Sequence, residues 1–239
     1  MKYLDRTLRT PQENLACDEA LLDSCEEGFP DEILRFWEPR QHFVVLGYSN
    51  KTRSEVNTDS CKKLGVPVLR RCSGGGTVLQ GLGCLNYALI LEIRIDSPLT
   101  TIPQANAFIM NRNRNALNSL LGGNILIQGH TDLTFHGRKF SGNSQRRRRR
   151  FLLFHGSFLL NLDLAPVEQA LYMPSKQPDY RRDRAHKDFL TNVNLPADAV
   201  KEAMKRAWHA TDALAEIPET RIQQLVQEKY ATDVWNSKF

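Results

Sequence analysis

Residues 74–76 are three glycines in a row, set between two apolar stretches, VPVLRRC before them and LNYALILEI after. Such a run has no side chains to bury, so it reads as a loop joining two strands. Bare backbone also lets main-chain N–H groups approach phosphate or carboxylate oxygens. Arg70 and Arg71 stand just before the run and Ser73 touches it. Two cations beside exposed backbone are a common solution for a phosphate. The P-loop pattern G-x-x-x-x-G-K-[ST] and the dinucleotide pattern G-x-G-x-x-G are both absent. Taken alone, the run reads equally as a plain turn.

The apolar pattern frames this loop. PQENLACDEALLDSCEEG has helical spacing and an exit at Gly28, and EILRFWEP and HFVVLGYS read as strands. NTDSCKKLG reads as a helix capped by Thr58 or Asp59, with strand VPVLRR after the Gly65 turn. LNYALILEI is long and apolar enough for a central strand. A long helix, IPQANAFIMNRNRNALNSLLGG, ends at Gly122 and Gly123. NILIQG, DLTFHGRKFSG and FLLFHGSFLLNLDL read as strands, with HGRK as a hairpin turn, and the remaining C-terminal segment as helical. At 239 residues and 41% hydrophobic composition, this order fits one domain over residues 1–239. The class is α/β (α+β), a mixed, largely antiparallel sheet flanked by helices.

A second polar cluster lies in GHTDLTFHGRKFSGNSQ, residues 129–145. Asp132 and Lys139 face one another across the expected hairpin. A lysine among small residues suits an acyl-phosphate or a carboxylate as a mobile point charge. The aspartate would fix that lysine or bind Mg²⁺, or the two form an ordinary surface ion pair. The net charge of +5 suits anionic partners without selecting one. No apolar run approaches the ~20 residues that span a membrane. The N-terminus lacks a secretory pattern, and the five cysteines are odd in number with no C-x-x-C pair. Reduced thiols in a cytoplasmic protein are therefore expected.

Five stretches in order, ENLACDEALL, FWEPRQHFVVLGYSN, RRCSGGGTVLQGLGCLNY, GHTDLTFHGRKFSGNSQ and FHGSFLLNLDL, resemble the catalytic domain of the lipoate-protein ligase A family, in the wider biotin and lipoate ligase superfamily. The terminal EKYATDVWNSKF is similar to the close of that family's large domain. The resemblance implies a biotin/lipoate ligase-like catalytic domain without an accessory C-terminal domain. It implies adenylation of lipoate with ATP and Mg²⁺, then transfer to a lysine of a lipoyl carrier domain. That carrier would be of the 2-oxoacid dehydrogenase E2 or glycine cleavage H protein type. Lys139 would be catalytic. Trp37 would wall an apolar tunnel. Arg70, Arg71, Ser73, Gly74, Gly75, Gly76, Thr77, Asn86, Gly142, Ser144 and His155 would bind substrate or nucleotide, and Asp132 would serve the nucleotide or hold Mg²⁺. The accessory part of two-part ligases would then be a separate subunit. Thr131, Tyr48, Ser144, His130 and Cys84 depart from the family's usual residues.

Octanoyltransferases and lipoyl amidotransferases share this fold, use no ATP and carry the acyl group on a cysteine. Their nucleophile lies shortly before the Lys139 region or well after the His155 region. Residues 85–239 of this chain hold no cysteine, leaving Cys72 as the one thiol near a motif. The run RRRRRF, residues 146–151, reads as a solvated loop, a phosphate-neutralising patch or a face for an acidic carrier. Interleaved aromatics for base stacking are missing, which argues against nucleic acid. QPDYRRDRAHKDF reads as an exposed basic loop, or one near the carrier face.

Overall fold

A computed structural model describes all residues 1–239. The strands are β1 (Lys2–Asp5), β2 (Ile33–Trp37), β3 (Phe43–Leu46), β4 (Val68–Arg70), β5 (Val78–Gln80), β6 (Cys84–Glu92), β7 (Ile125–Gln128), β8 (Asp132–Phe135), β9 (Arg138–Arg147), β10 (Phe151–Leu159) and β11 (Asp212–Ala213). The helices are α1 (Pro11–Glu27), α2 (Thr52–Glu55), α3 (Thr58–Lys63), α4 (Ile102–Leu121), α5 (Ala165–Ala170), α6 (His186–Phe189), α7 (Ala197–Trp208), α8 (Glu219–Leu225) and α9 (Asp233–Asn236).

Eight strands form one sheet in the order β11-β1-β2-β6-β10-β9-β8-β7. β1 runs parallel to β11 and β2, and the other pairs are antiparallel, so the expected mixed, largely antiparallel sheet is present. β4, β3 and β5 form a second, smaller sheet. Side-chain alternation divides the large sheet into two faces. Leu34, Phe36, Leu89 and Phe154 pack on one side with Ile109 of α4 and Val200 and Met204 of α7. Ile33, Ala88, Ile90 and Leu153 pack on the other with Leu21 of α1 and Ile222 and Leu225 of α8.

Local chemistry sets the ends of these elements. Thr10 and Glu13 form a reciprocal capping box at α1, with Pro11 in the first turn. α4 starts at Thr101 and ends at Gly122, which is left-handed at φ 69°. β8 turns into β9 through His136 (φ 49°) and Gly137 (φ 72°), two positive φ angles that match the twist of a tight hairpin. The cap of α3 is Asn57, whose side chain accepts from Ser60 N–H, rather than Thr58 or Asp59. The C-terminal segment is interrupted by β11, which adds to the sheet edge beside β1. No helix is long and apolar enough to cross a membrane.

Candidate active site

Directly opposed residues in a sheet share a face. The register therefore lines up one row across five strands: Trp37 opposite Asn86, Asn86 opposite Ser157, Ser157 opposite Gly142, and Gly142 opposite Asp132. A second row runs beside it through Arg35, Ala88, His155 and Ser144. The first row, with His155 and Ser144 of the second, floors a cleft of about 890 Å³. Gly75 and Gly76 line one side of it. Apolar side chains of the stretch after β10, among them Leu162, Val167 and Leu171, stand over the other.

Lys139 lies at the Asp132 end of the first row. A register shift between Leu133 and Thr134 lets its side chain reach back over β9. Its Nζ stands 2.8 Å from Asp132 Oδ1. Gly142 makes room for it, since a Cβ there would meet the Lys139 Nζ at 2.8 Å. The other Asp132 oxygen accepts a 2.7 Å hydrogen bond from the Tyr180 hydroxyl. Burial and the adjacent Asp132 push that phenol upward, so it remains a donor. Asp132 thus bridges lysine and tyrosine on the cleft wall.

The two arginines part company. Arg71 shapes the glycine loop, donating to the carbonyls of Gly74 (3.1 Å from Nε) and Gly76 (2.8 Å). Burial lowers its guanidinium to about 10. Ser144 Oγ donates to the same Gly74 carbonyl at 2.9 Å. Gly75 holds φ 85°, and an added Cβ would meet Arg71 Nη2 at 2.9 Å, so the loop needs glycine there. Arg70 points the other way, as alternate residues on a strand do. It is fully buried, and its guanidinium donates to the carbonyls of Gly47, Tyr48, Asn50, Trp235 and Asn236. The expectation of two cations beside the anion site is corrected to one: Arg70 ties the C-terminal segment to the small sheet.

Ser73 is 1% exposed and shares a 2.5 Å hydrogen bond with His155 Nε2. His155 Nδ1 stands 3.2 Å from Asp18 Oδ2, and the other Asp18 oxygen pairs with Arg35. A Ser–His–Asp chain can activate a nucleophile, but here the serine faces inward and the chain fastens the glycine loop to the sheet floor. Sequence reasoning missed Asp18, Arg35, Tyr180 and Gln80. Asp18 and Glu19 gave one legible signal: two adjacent carboxylates in an otherwise apolar helix. Of the expected residues, Trp37, Arg71, Gly75, Gly76, Thr77, Asn86, Asp132, Lys139, Gly142, Ser144 and His155 line the cleft. Ser73 and Gly74 lie just behind its surface, bonded to His155 and to Arg71.

The basic stretches are also corrected. Residues 146 and 147 continue β9, and the run turns as a hairpin rather than a solvated loop. Arg147 donates to the carbonyl of Leu99 at 2.6 Å, Arg148 pairs with Asp23 at 2.9 Å, and Glu26 accepts from the backbone N–H of Arg150. In QPDYRRDRAHKDF, Arg181 is buried with its guanidinium 4.6 Å from the Phe189 ring centre, and the segment walls the cleft. All five cysteines are buried and free, and none lines the cleft. The Cys72 thiol, beside Tyr230 and Glu19, is pushed up to about 12, chiefly by burial.

A sheet that carries polar groups across its strands beneath a glycine loop, with one lysine at the end of the row, has the biotin/lipoate ligase fold. The chain belongs to the lipoyl protein ligase A/B catalytic domain family, which matches residues 10–209. Lipoate-protein ligase A subunit 1 of Thermoplasma acidophilum is 27% identical, over 93% of this chain and 90% of its own length. Octanoyltransferase LipM of Halalkalibacterium halodurans is 24% identical over 98% of both chains. A solved bipartite lipoate ligase from T. acidophilum, studied with its E2 lipoyl domain, superposes with a TM-score of 0.82 at 26% identity, covering 99% of this chain and 96% of that one. A lipoate-protein ligase A bound with ATP gives 0.80 at 26% identity, covering 99% of each.

Proposed function

We propose that this protein is an ATP-dependent lipoate-protein ligase. The observation that carries the reading is the chemistry of the cleft: a lysine paired with a carboxylate, and no thiol. A transferase of this fold that carries its acyl group as a thioester needs a thiolate at the acyl carbonyl. Cys72, the thiol next to the glycine run, is buried behind the loop and strongly biased toward its protonated form. An adenylating ligase needs no enzyme nucleophile. A carboxylate oxygen of the acid forms a bond to the α-phosphorus of ATP, and pyrophosphate leaves. The carrier's lysine amine then forms the amide bond to the acyl carbon, and AMP leaves with the electron pair of the broken C–O bond.

In this reading Lys139 holds the acid carboxylate and then stabilises charge on the α-phosphate. In the same reading the main-chain N–H groups of residues 74–76 serve the anion, and Arg71 holds that loop in shape through the Gly74 and Gly76 carbonyls. A cleft of about 890 Å³ exceeds what an eight-carbon acid fills and leaves room for a nucleotide. The likeness to an ATP-bound ligase supports this use of the space. Mg²⁺ would arrive with the triphosphate, where few protein ligands suffice. Asp132 is the carboxylate beside Lys139, and a metal there would displace Lys139 or Tyr180 from one oxygen. The acceptor is a lipoyl carrier domain of the E2 or H protein type. A separate accessory subunit is the expected helper, as the likeness to a ligase subunit 1 suggests.

The test is pyrophosphate release that depends on lipoate. The purified protein, alone and with a candidate accessory subunit, should release pyrophosphate from ATP only when the acid is added. Release independent of the acid, or acyl transfer from an octanoyl carrier without ATP, contradicts the proposal. The transferase reading is favoured by one observation, the full-length likeness to LipM.

A further inference from the structure

An ammonium group that pairs with a carboxylate of its own chain is less available to a carboxylate that comes from outside. Lys139 faces that conflict. Its Nζ lies 2.8 Å from Asp132 Oδ1, and the two side chains are only 21% and 14% exposed. Shielded charges attract strongly, so an unmoderated Asp132 would compete with any entering acid. A second hydrogen bond moderates it. The Tyr180 hydroxyl donates to Asp132 Oδ2 at 2.7 Å. That oxygen is occupied, and Lys139 is held through the other. A phenol that donates to a carboxylate also draws charge from it, which weakens its pull on the ammonium.

Tyr180 reaches Asp132 from a braced wall. It sits in the stretch between α5 and α6, and its ring packs on Phe189 with centres 5.2 Å apart. Arg184 donates to the Tyr180 carbonyl at 3.0 Å and to the Gly137 carbonyl at 3.1 Å, which ties the stretch to the β8–β9 turn. Arg138 donates to the Lys187 carbonyl at 2.6 Å, and the Thr191 N–H donates to the Lys139 carbonyl at 2.9 Å. The wall and the lysine strand are thus fastened to one another at several points, and the hydroxyl is placed before any ligand arrives. Burial, with Asp132 beside it, keeps the proton on the phenol.

We propose that Tyr180 is a positioning residue: by occupying one oxygen of Asp132 it leaves Lys139 free to take the carboxylate of an entering acid. The inference rests on the acyl-acid reading of the cleft. Without the hydroxyl, both oxygens of Asp132 are open to the ammonium, and the acid must displace a stronger partner. The effect is specific to an anionic head group. A neutral ligand of the same shape does not compete with Asp132 for the charge of Lys139, so the hydroxyl makes no difference to it.

The experiment is calorimetric binding of lipoate and of its neutral amide, lipoamide, with neither ATP nor carrier present. Tyr180→Phe removes the hydroxyl and keeps the ring against Phe189. It should weaken lipoate about fivefold or more and leave lipoamide within about twofold. In an Asp132→Ala chain the same substitution should change lipoate affinity by less than about twofold, because the carboxylate it acts through is gone. Equal losses for lipoate and lipoamide overturn the proposal, since they report a disturbed wall. So does a loss that persists in the Asp132→Ala chain, and so does an unchanged lipoate affinity. Lipoate-dependent pyrophosphate release, measured on the same proteins, separates this proposal from the ligase reading. An acid affinity that depends on Tyr180 in a protein that releases no pyrophosphate removes the ligase reading alone. Adenylation with an acid affinity indifferent to Tyr180 removes this proposal alone.

Discussion

Lys139 is the residue on which the chemistry turns. It is a partly exposed cation, 2.8 Å from Asp132 and free to swing toward an anion. Lys139→Ala should lower adenylation by about a hundredfold or more, as loss of one placed charge-stabilising group does. Its melting temperature should stay close to that of the unmodified protein, since Asp132 keeps its Tyr180 partner. Retained activity in a rate assay would remove Lys139 from the mechanism. His155→Ala should behave differently. It leaves the Ser73 hydroxyl and one Asp18 oxygen without their partner while Arg35 keeps the other oxygen, a loss of about 1–3 kcal/mol by chemical denaturation. With the loop unfastened, KM for the acid should rise more than kcat falls. Cys72→Ser should keep its activity, and a dead variant would revive the thioester route. Lys139 and Asp132 were legible as a pair because a hairpin brings them together, whereas Ser73 and His155 entered through the resemblance and their bond to one another was not foreseen. Arg70 was misread because two adjacent arginines look alike in a string, while a strand sends them to opposite sides. Asp18 was missed because its partners, Arg35 and His155, come from strands remote in sequence.

Among the elements, the β9–β10 hairpin departs most from its sequence pattern. Five consecutive arginines suggest repulsion and solvent. The chain resolves them by alternation and by the acidic C-terminal half of α1, where Asp23 meets Arg148 and Glu26 caps the turn. Arg148→Ser should therefore cost stability, about 1 kcal/mol after allowance for its partial exposure. It should leave affinity for a lipoyl domain unchanged, measured by calorimetry at two salt concentrations. A salt-dependent loss of carrier affinity would return the run to the docking face. The hairpin turn at His136 and Gly137 was readable because HGRK breaks the apolar pattern with a glycine, and both residues take the positive φ angles such a turn needs. β11 was not readable. Two exposed residues join the sheet only because β1 offers an open edge beside them.

For the whole molecule, the succession of strands and helices along the chain and the largely antiparallel sheet were visible in outline from apolar periodicity, and the order of strands within that sheet and the small second sheet were not. β3 and β4 pair in parallel across α2 and α3, a long-range choice that no local pattern announces. The C-terminal segment closes the molecule, with Trp235 Nε1 donating to the Arg70 carbonyl and Tyr230 donating to Glu19 beneath the glycine motif. Burial pushes Cys17 up to about 11 and Cys25, Cys72 and Cys84 up to about 12. These thiols stay protonated at pH 8, so iodoacetamide should leave them unlabelled until the protein unfolds. Unfolded thiols ionise near 9, so a raised folded value favours the native state only below that pH. Stability should fall as pH rises above about 9, read as a falling melting temperature. The account as a whole meets its most direct test on a carrier protein weighed by mass spectrometry. One tube holds the protein, ATP, Mg²⁺, lipoate, an apo lipoyl domain and, where available, an accessory subunit, and a parallel tube holds an octanoyl carrier protein and no ATP. A lipoyl mass increment in the first tube alone is the expected result; an octanoyl increment in the second would contradict the ligase reading.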